Sequence, residues 1–276
     1  MTSSIPPTES LLVVDNLWVE YPTPGFRKLP FVAIKDMSIS VEAGKTLGVV
    51  GESGSGKSTL GRAVLGLAPI AAGSVRFEGR DLSYATPRQR RAVSSDLQVV
   101  FQDPYSSLNP ALSIETILAE PLIAAGATRA DARNRIRTLL DLVSLPTDSL
   151  RRLPREFSGG QRQRIAIARA MALDPKLVVC DEAVSALDLS TQARVLDLLL
   201  DIQEATGVSY LFITHDLEVV RHMSDDIVVV HLGRIVERGK AERVVTAPEE
   251  EYTKRLLAAS PIADPVTQRA RREAAV

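Results

Sequence analysis

Apolar and polar positions alternate with a period of two at the start of the chain. Residues 11–21 (LLVVDNLWVEY) and 31–42 (FVAIKDMSISVE) have the spacing of half-buried strands rich in β-formers. In the second run Val32 and Ile34 share one parity, while Met37, Ile39 and Val41 share the other, so a bulge or short break is expected between them. Pro22, Pro24, Gly25 and Pro30 mark a loop, and Ala43-Gly44-Lys45 a turn. The pattern then changes. Short runs at 45–50, 97–101, 177–180, 209–213 and 227–231, mainly apolar and at 177–180 wholly so, are of the kind buried in a parallel sheet. Helical patterns at 60–65, 162–173 and 189–202 lie between them. Alternating buried strands and helices predict an α/β core with right-handed crossovers.

Smaller elements fill the intervals. Residues 73–79 read as a strand with turn signals at both ends, and 86–93 as a basic helix with Pro87 in its first turn. Arg88, Arg90 and Arg91 are expected to form a solvated face. From 114 to 153 apolar positions recur at helical spacing, punctuated by Pro121, Gly126 and Pro146. A hairpin around Gly233 and a helical, polar stretch from 241 to 276 follow. The expected organisation is a loose tail over 1–10, one domain over 11–257 with a helical insert at about 103–165, and a second tail over 258–276.

Composition narrows the classes. The 276 residues carry 33 basic against 34 acidic side chains, a balance that argues against a dedicated nucleic-acid binder. A single cysteine, Cys180, excludes a disulfide framework or cysteine metal cluster within the chain and points to a reducing compartment. The opening MTSSIPPTES has no basic region followed by an apolar run, and no apolar stretch approaches the ~18 residues of a membrane span. A soluble cytosolic chain is expected, or one that meets a membrane only through a partner.

Three motifs carry chemistry. Gly51 to Thr59, GESGSGKST, fits the phosphate-loop pattern at Gly51, Gly56, Lys57 and Ser58, between a buried strand and a helix start. Its glycines let consecutive N–H groups converge on phosphates, with Gly51, Ser53, Gly54, Ser55, Gly56, Lys57, Ser58 and Thr59 as candidate contacts. Lys57 can reach the β- and γ-phosphates and the Ser58 hydroxyl can ligate Mg²⁺. The plainer alternative is a glycine-rich turn that binds nothing, and the flanks weigh against it. Asp181-Glu182 stands at the C-terminal end of an apolar strand, the functional face of a parallel sheet. Asp181 there can hold Mg²⁺ through water, and Glu182 can polarise an attacking water. An acidic pair at a helix start is the bland alternative. Cys180 beside them is read as packing, its thiol pKa raised by apolar neighbours. Ser158-Gly159-Gly160-Gln161 opens a strong helix and forms a second anion site. One chain does not need two phosphate sites for one nucleotide. Two chains facing head to tail do, each capping the other's nucleotide.

With these motifs the chain resembles an ATP-binding cassette subunit over roughly residues 11–257. The resemblance implies a P-loop NTPase core with a mixed parallel sheet, an antiparallel β subdomain and a helical insert. It makes Ser158, Gly159, Gly160 and Gln161 the signature loop, with Phe157 where leucine is usual. It makes Gln102 the Q-loop glutamine, a Mg²⁺ ligand and a link to a membrane partner. Ser185-Ala186-Leu187-Asp188 is similar to the D-loop that crosses the dimer interface, and His215, in Ile213-Thr214-His215-Asp216, to the switch histidine at the γ-phosphate. Glu182, His215 and Lys57 are thus the catalytic candidates, and Ser58, Gln102 and Asp181 the metal candidates. Tyr21 is assigned to stack on adenine, with Trp18 and Phe26 as neighbouring alternatives. His222 and His231 are read as ordinary polar residues.

A narrower resemblance is to the dipeptide, oligopeptide and nickel importer group. It rests on residues 101–110 (FQDPYSSLNP), 181–188 (DEAVSALD), 233–239 (GRIVERG) and 252–257 (YTKRLL). It implies ATP and Mg²⁺ as ligands, and a second ATPase subunit, as a heterodimer or alternatively a homodimer. It also implies two integral-membrane permeases, an extracytoplasmic solute-binding protein met only indirectly, and a peripheral place on the cytoplasmic face of the plasma membrane. Without a cysteine-rich C-terminal segment the chain resembles the shorter type of subunit in that group. The rivals are a cassette ATPase acting on ribosomes or DNA, an exporter half, and a subunit of a soluble enzyme complex such as phosphonate breakdown.

Overall fold

A computed structural model of the chain describes residues 10–23, 25, 29–103, 105 and 107–259. The chain begins with strands β1 (Ser10–Tyr21), β2 (Phe31–Glu42) and β3 (Thr46–Val50), followed by helix α1 (Lys57–Leu65). Strands β4 (Ile70–Phe77) and β5 (Arg80–Asp81), helix α2 (Pro87–Val93) and strand β6 (Leu97–Val100) follow. Helices α3 (Ile114–Ala124), α4 (Arg129–Leu142) and α5 (Gly159–Ala170) then lead to strand β7 (Leu177–Asp181) and helix α6 (Leu189–Thr206). The remainder is β8 (Ser209–Thr214), α7 (Leu217–Met223), β9 (Asp226–His231), β10 (Arg234–Lys240), α8 (Ala241–Thr246) and α9 (Glu251–Ala259). The chain divides into two units, residues 1–90 with 210–276, and residues 91–209. The second unit contains the helices read as an insert, and also β6, β7 and α6.

In the first unit, β2, β1, β4 and β5 form an antiparallel sheet in that order. The parity switch in β2 is a bulge and not a break: the strand runs on through Asp36, which takes a left-handed φ of 59°, as Asn16 of β1 does at 47°. Asparagine and aspartate tolerate that region best among side-chain-bearing residues. Asn16 also ties the irregularity together, its Nδ2 donating to Asp36 Oδ1 at 2.8 Å and its N–H to Ser38 Oγ at 2.9 Å. The strand read from 73 onward starts earlier, at Ile70. Residues 70–72 carry little pattern of their own and are strand because β1 pairs with them, Val19 against Ile70 and Trp18 against Ala72. A second set of strands surrounds β3, which is buried at every residue. It pairs in parallel with β8 and β9, and β10 adds antiparallel to β9. Burial on both faces is why these runs lack alternation. Val50, Val220, Ile227, Val229, Val245, Tyr252 and Leu257 share one apolar cluster, so α7, α8 and α9 are held against this sheet.

Arg88 and Arg91 lie on the exposed face expected of them, but Arg90 does not. Its guanidinium turns inward, donating to the Val64 carbonyl at 2.8 Å and to the Leu82 carbonyl, and it packs over Gly66. A planar fork satisfies two carbonyls that a helix pattern cannot reveal. Arg90→Ala leaves both without that donor. It is expected to cost about 1–3 kcal/mol and to lower the midpoint of thermal unfolding by about 3–10 °C; calorimetry on the two chains checks this. An unchanged midpoint would mean that water replaces the guanidinium at no cost.

In the second unit, β6 and β7 pair in parallel from Leu97 against Leu177 to Val100 against Cys180. Its longer helices begin on side-chain caps: Ser113 for α3, Thr128 for α4, Ser158 for α5 and Asp188 for α6 each accept an N–H from the first turn. Pro121 does not break α3 but lies inside it, near the end, where one lost hydrogen bond costs little cooperativity. Arg135 of α4 closes the turn after α5, donating to the carbonyls of Met171 at 2.8 Å and Ala172 at 3.2 Å and pairing with Asp174. Among the described residues no helix is long and apolar enough to cross a membrane.

Candidate nucleotide-binding and hydrolysis site

The phosphate loop leaves β3 at Val50, and α1 begins inside the motif, at Lys57. Gly51, Gly54 and Gly56 all have positive φ, at 156°, 78° and 110°. A Cβ on Gly51 would lie 2.1 Å from the Val230 carbonyl, and one on Gly56 2.8 Å from that of Ala33, so both positions exclude a side chain on that side. A Cβ on Gly54 would meet nothing within 4 Å. The loop thus rests on backbone from behind and is open at its tip. Lys57 is buried, and its ammonium is held by the carbonyls of Gly51 at 2.7 Å and Glu52 at 2.8 Å. The Ser55 hydroxyl is buried without a hydrogen-bond partner in the structure. A cradle of positive-φ glycines, a buried cation, an orphaned hydroxyl and a helix N-terminus lacking acidic residues fit an anionic phosphate chain.

His215 comes from the strand next door. β3 and β8 run in parallel with Val50 opposite Thr214, so His215 leaves β8 level with the start of the phosphate loop. The Thr214 hydroxyl accepts the Asp216 N–H at 3.1 Å, and Asp216 caps α7 through the N–H groups of Glu218 at 2.8 Å and Val219 at 3.3 Å. Those bonds fix the backbone on the C-terminal side of the exposed imidazole.

The second unit repeats this logic. Val100 pairs with Cys180, so Gln102 and the Asp181-Glu182 pair leave neighbouring strands at the same end. Glu182 has a left-handed φ of 51°, unusual for a side-chain-bearing residue. Its carbonyl accepts the Ser185 N–H at 3.1 Å and hydroxyl at 3.0 Å, which hold the turn in that shape. Cys180 is fully buried, and burial, then the neighbouring Asp181, pushes its thiol up to about 12, so it packs and does not react.

Ser158 and Gln161 form a reciprocal capping box: Ser158 Oγ accepts the Gln161 N–H at 3.3 Å, and Gln161 Oε1 accepts the Ser158 N–H at 3.0 Å. Gln161 therefore shapes the helix start, a duty that four letters of motif do not reveal. Gly160 packs so closely on α6 that a Cβ would lie 2.2 Å from Thr191 Cγ2, and Gly159 borders Leu187. The segments read from the sequence as signature loop and D-loop are thereby brought together. Asp188 caps α6, its carboxyl held down to about 2 by the Ser190 hydroxyl and then the Thr191 N–H. Phe157 is buried under Arg152, whose guanidinium carbon lies 4.3 Å from the ring centre, so the larger residue is accommodated.

Tyr21 closes β1 opposite Phe31, half-buried; Trp18 faces Ala72 of β4, and Phe26 lies outside the described residues. No group of three or more His, Cys, Asp or Glu capable of holding a metal occurs among the described residues. The donors expected instead, a serine hydroxyl, a glutamine amide and one carboxylate, are oxygen ligands suited to Mg²⁺ with its retained waters. Two contributors were missed in the sequence. Tyr252 reaches the phosphate loop, its hydroxyl accepting the Glu52 N–H at 3.1 Å. Arg169 of α5 holds the Ser107 carbonyl beyond Gln102 at 2.6 Å. A tyrosine among the apolar positions of α9 was a signal, because a buried phenol needs a polar partner.

The chain matches the family described as ABC transporter over residues 34–185. It is 49% identical over 240 residues to the oligopeptide transport ATP-binding protein OppF of Lactococcus lactis subsp. lactis, covering 87% of this chain and 75% of that protein. It is 43% identical over 269 residues to OppF of Haemophilus influenzae, covering 95% and 81%. Among solved structures, the ATP-binding cassette MJ0796, in a dimeric post-hydrolysis state bound to ADP and Pi, superposes with a TM-score of 0.74 at 26% identity over 83% of this chain and 98% of that one. The structure of cbiO1 from Clostridium perfringens, part of the ABC transporter complex cbiONQ, shares the fold with a TM-score of 0.78 at 22% identity, covering 96% and 99%. Phosphate loop, capped signature helix and acidic strand end in one chain, together with these matches, establish that the protein belongs to the ABC transporter family as an ATP-binding cassette.

Proposed function

We propose that the chain is the ATP-hydrolysing subunit of an importer for di- or oligopeptides, working on the cytoplasmic face of the plasma membrane beneath two permeases. The observation that carries this is that two separate helix N-termini, the phosphate loop on α1 and the capping box on α5, start without acidic residues and in glycine-bearing motifs suited to an anion. A subunit that both holds its own nucleotide and caps a partner's accounts for both. The relatives named above are peptide transport ATP-binding proteins, which favours the importer over the soluble enzyme-complex alternative.

In this reading the loop N–H groups and Lys57 hold the phosphates, and Ser58, Gln102 and Asp181 hold Mg²⁺, which when bound offsets phosphate charge. Ser158 and the Gly159 and Gly160 N–H groups of the opposite subunit close on the γ-phosphate. Glu182 accepts a proton from the attacking water, and His215 supports the γ-phosphate. Asp188 crosses to the partner, and Tyr21 stacks on adenine. Most of the rate enhancement is positioning and charge stabilisation. Closure on ATP and reopening after hydrolysis is the motion passed to the permeases. The second ATPase is a sister subunit, and the solute-binding protein is met only through the permeases.

The test is co-purification. A tagged Glu182→Gln chain is expressed in its native cells and extracted in mild detergent with ATP and Mg²⁺, and its companions are identified by mass spectrometry. Two permeases and a second ATPase are expected. A soluble enzyme set without a permease would overturn the transport reading.

A further inference from the structure

We propose that Tyr252 is a positioning residue for the phosphate loop, holding from behind the peptide whose carbonyl seats Lys57; the proposal rests on the nucleotide-binding reading above. The N–H of Glu52 and the C=O of Gly51 belong to one planar peptide unit and point in opposite directions. The Tyr252 hydroxyl accepts that N–H at 3.1 Å, and the Gly51 carbonyl accepts the Lys57 ammonium at 2.7 Å. One peptide is therefore gripped from both sides. The next carbonyl, that of Glu52, accepts both the Lys57 ammonium at 2.8 Å and the Ser55 N–H at 3.2 Å. Rotating the gripped peptide would shift the buried cation and the tight turn together.

Tyr252 is itself fixed. Its ring lies 3.9 Å from that of His231, centre to centre, and it belongs to the apolar cluster with Val50, Val229 and Leu256. His231, taken from the sequence as an ordinary polar residue, thus has a packing role. The same region supports the loop twice more. The Gly233 N–H donates to the Ser55 carbonyl at 2.9 Å, and the Val230 carbonyl bears directly on Gly51. Helix α9 and the β9–β10 hairpin form a rear support for the loop. A loop that populates its binding conformation only part of the time binds more weakly by that fraction, so loss of the phenol oxygen reads out as nucleotide affinity.

The test compares the wild-type chain with Tyr252→Phe and Leu256→Ala. Phenylalanine keeps the ring against His231 and removes the acceptor. Leu256→Ala weakens the same cluster and leaves the phenol oxygen in place. Hydrogen exchange at the Glu52 amide and calorimetric titration with ATP in EDTA are measured on each, and kcat and KM on the Mg²⁺-loaded enzyme. Tyr252→Phe is expected to speed Glu52 exchange and to raise the ATP Kd about 3- to 10-fold, with KM rising in parallel and kcat within about twofold. Leu256→Ala is expected to lower the thermal midpoint more than Tyr252→Phe does and to raise Kd less. Unaltered Glu52 exchange in Tyr252→Phe, or faster exchange with an unaltered Kd, overturns the proposal. A wild-type chain that bound no ATP would overturn the nucleotide reading itself, an outcome distinct from either.

Discussion

Lys57→Ala removes ATP hydrolysis, with turnover expected to fall by about a thousandfold or more, the scale seen when a charge that stabilises the transition state is deleted. Among the described loop residues Lys57 is the cation, and it is buried rather than solvated. A buried ammonium is costly unless several acceptors share it. The carbonyls of Gly51 and Glu52 do so at 2.7 and 2.8 Å, keeping the charge at the loop that the N–H groups and the α1 dipole also make electropositive. Alanine takes away the charge and removes the ammonium donor from both carbonyls, that of Glu52 keeping the Ser55 N–H. Affinity for ATP is expected to fall together with turnover, while the strands around β3 still fold. Hydrolysis assays and ATP titration, run beside thermal unfolding, separate these effects. Turnover near the wild-type level in a folded Lys57→Ala chain would remove the phosphate loop from the mechanism.

How far the sequence carries depends on whether a feature is local. The mainly apolar runs at β3, β7, β8 and β9 were legible because burial on both faces favours apolar side chains on both parities. The helix caps at Ser158 and Asp188 were visible as residue types at motif positions, and the structure adds which atoms they engage. The bulge in β2 was legible from its parity switch, but its chemistry was not, because the Asn16–Asp36 bond joins residues on different strands. Arg90 failed as a solvated residue for a like reason. Its partners, the carbonyls of Val64 and Leu82, are main-chain atoms with no sequence signature. Tyr252 is the same case at the site: a helix position whose role is set by a loop N–H 200 residues away. What the sequence conveys is the inventory of chemically able groups. What it withholds is the long-range pairing of side chains with backbone that aims them.

Glu182→Gln separates binding from chemistry. The substitution is nearly isosteric and removes the carboxylate, so the attacking water loses its proton acceptor while the turn remains. The reason is geometric. The bonds that hold the left-handed backbone at Glu182 run from Ser185 to its main-chain carbonyl, at 3.1 Å from the N–H and 3.0 Å from the hydroxyl, and glutamine keeps that carbonyl. The expected result is a fall in kcat of about 10²- to 10⁴-fold, the range of a lost general base. Affinity for ATP is expected to stay within about threefold, because the phosphate contacts belong to the loop and not to the carboxylate. With hydrolysis blocked, ATP persists, and the closed pair of subunits accumulates; sizing chromatography with ATP and Mg²⁺ is expected to show a dimer that ADP does not support. Wild-type turnover in Glu182→Gln would transfer the base to another group, with His215, at the end of β8, the next to test.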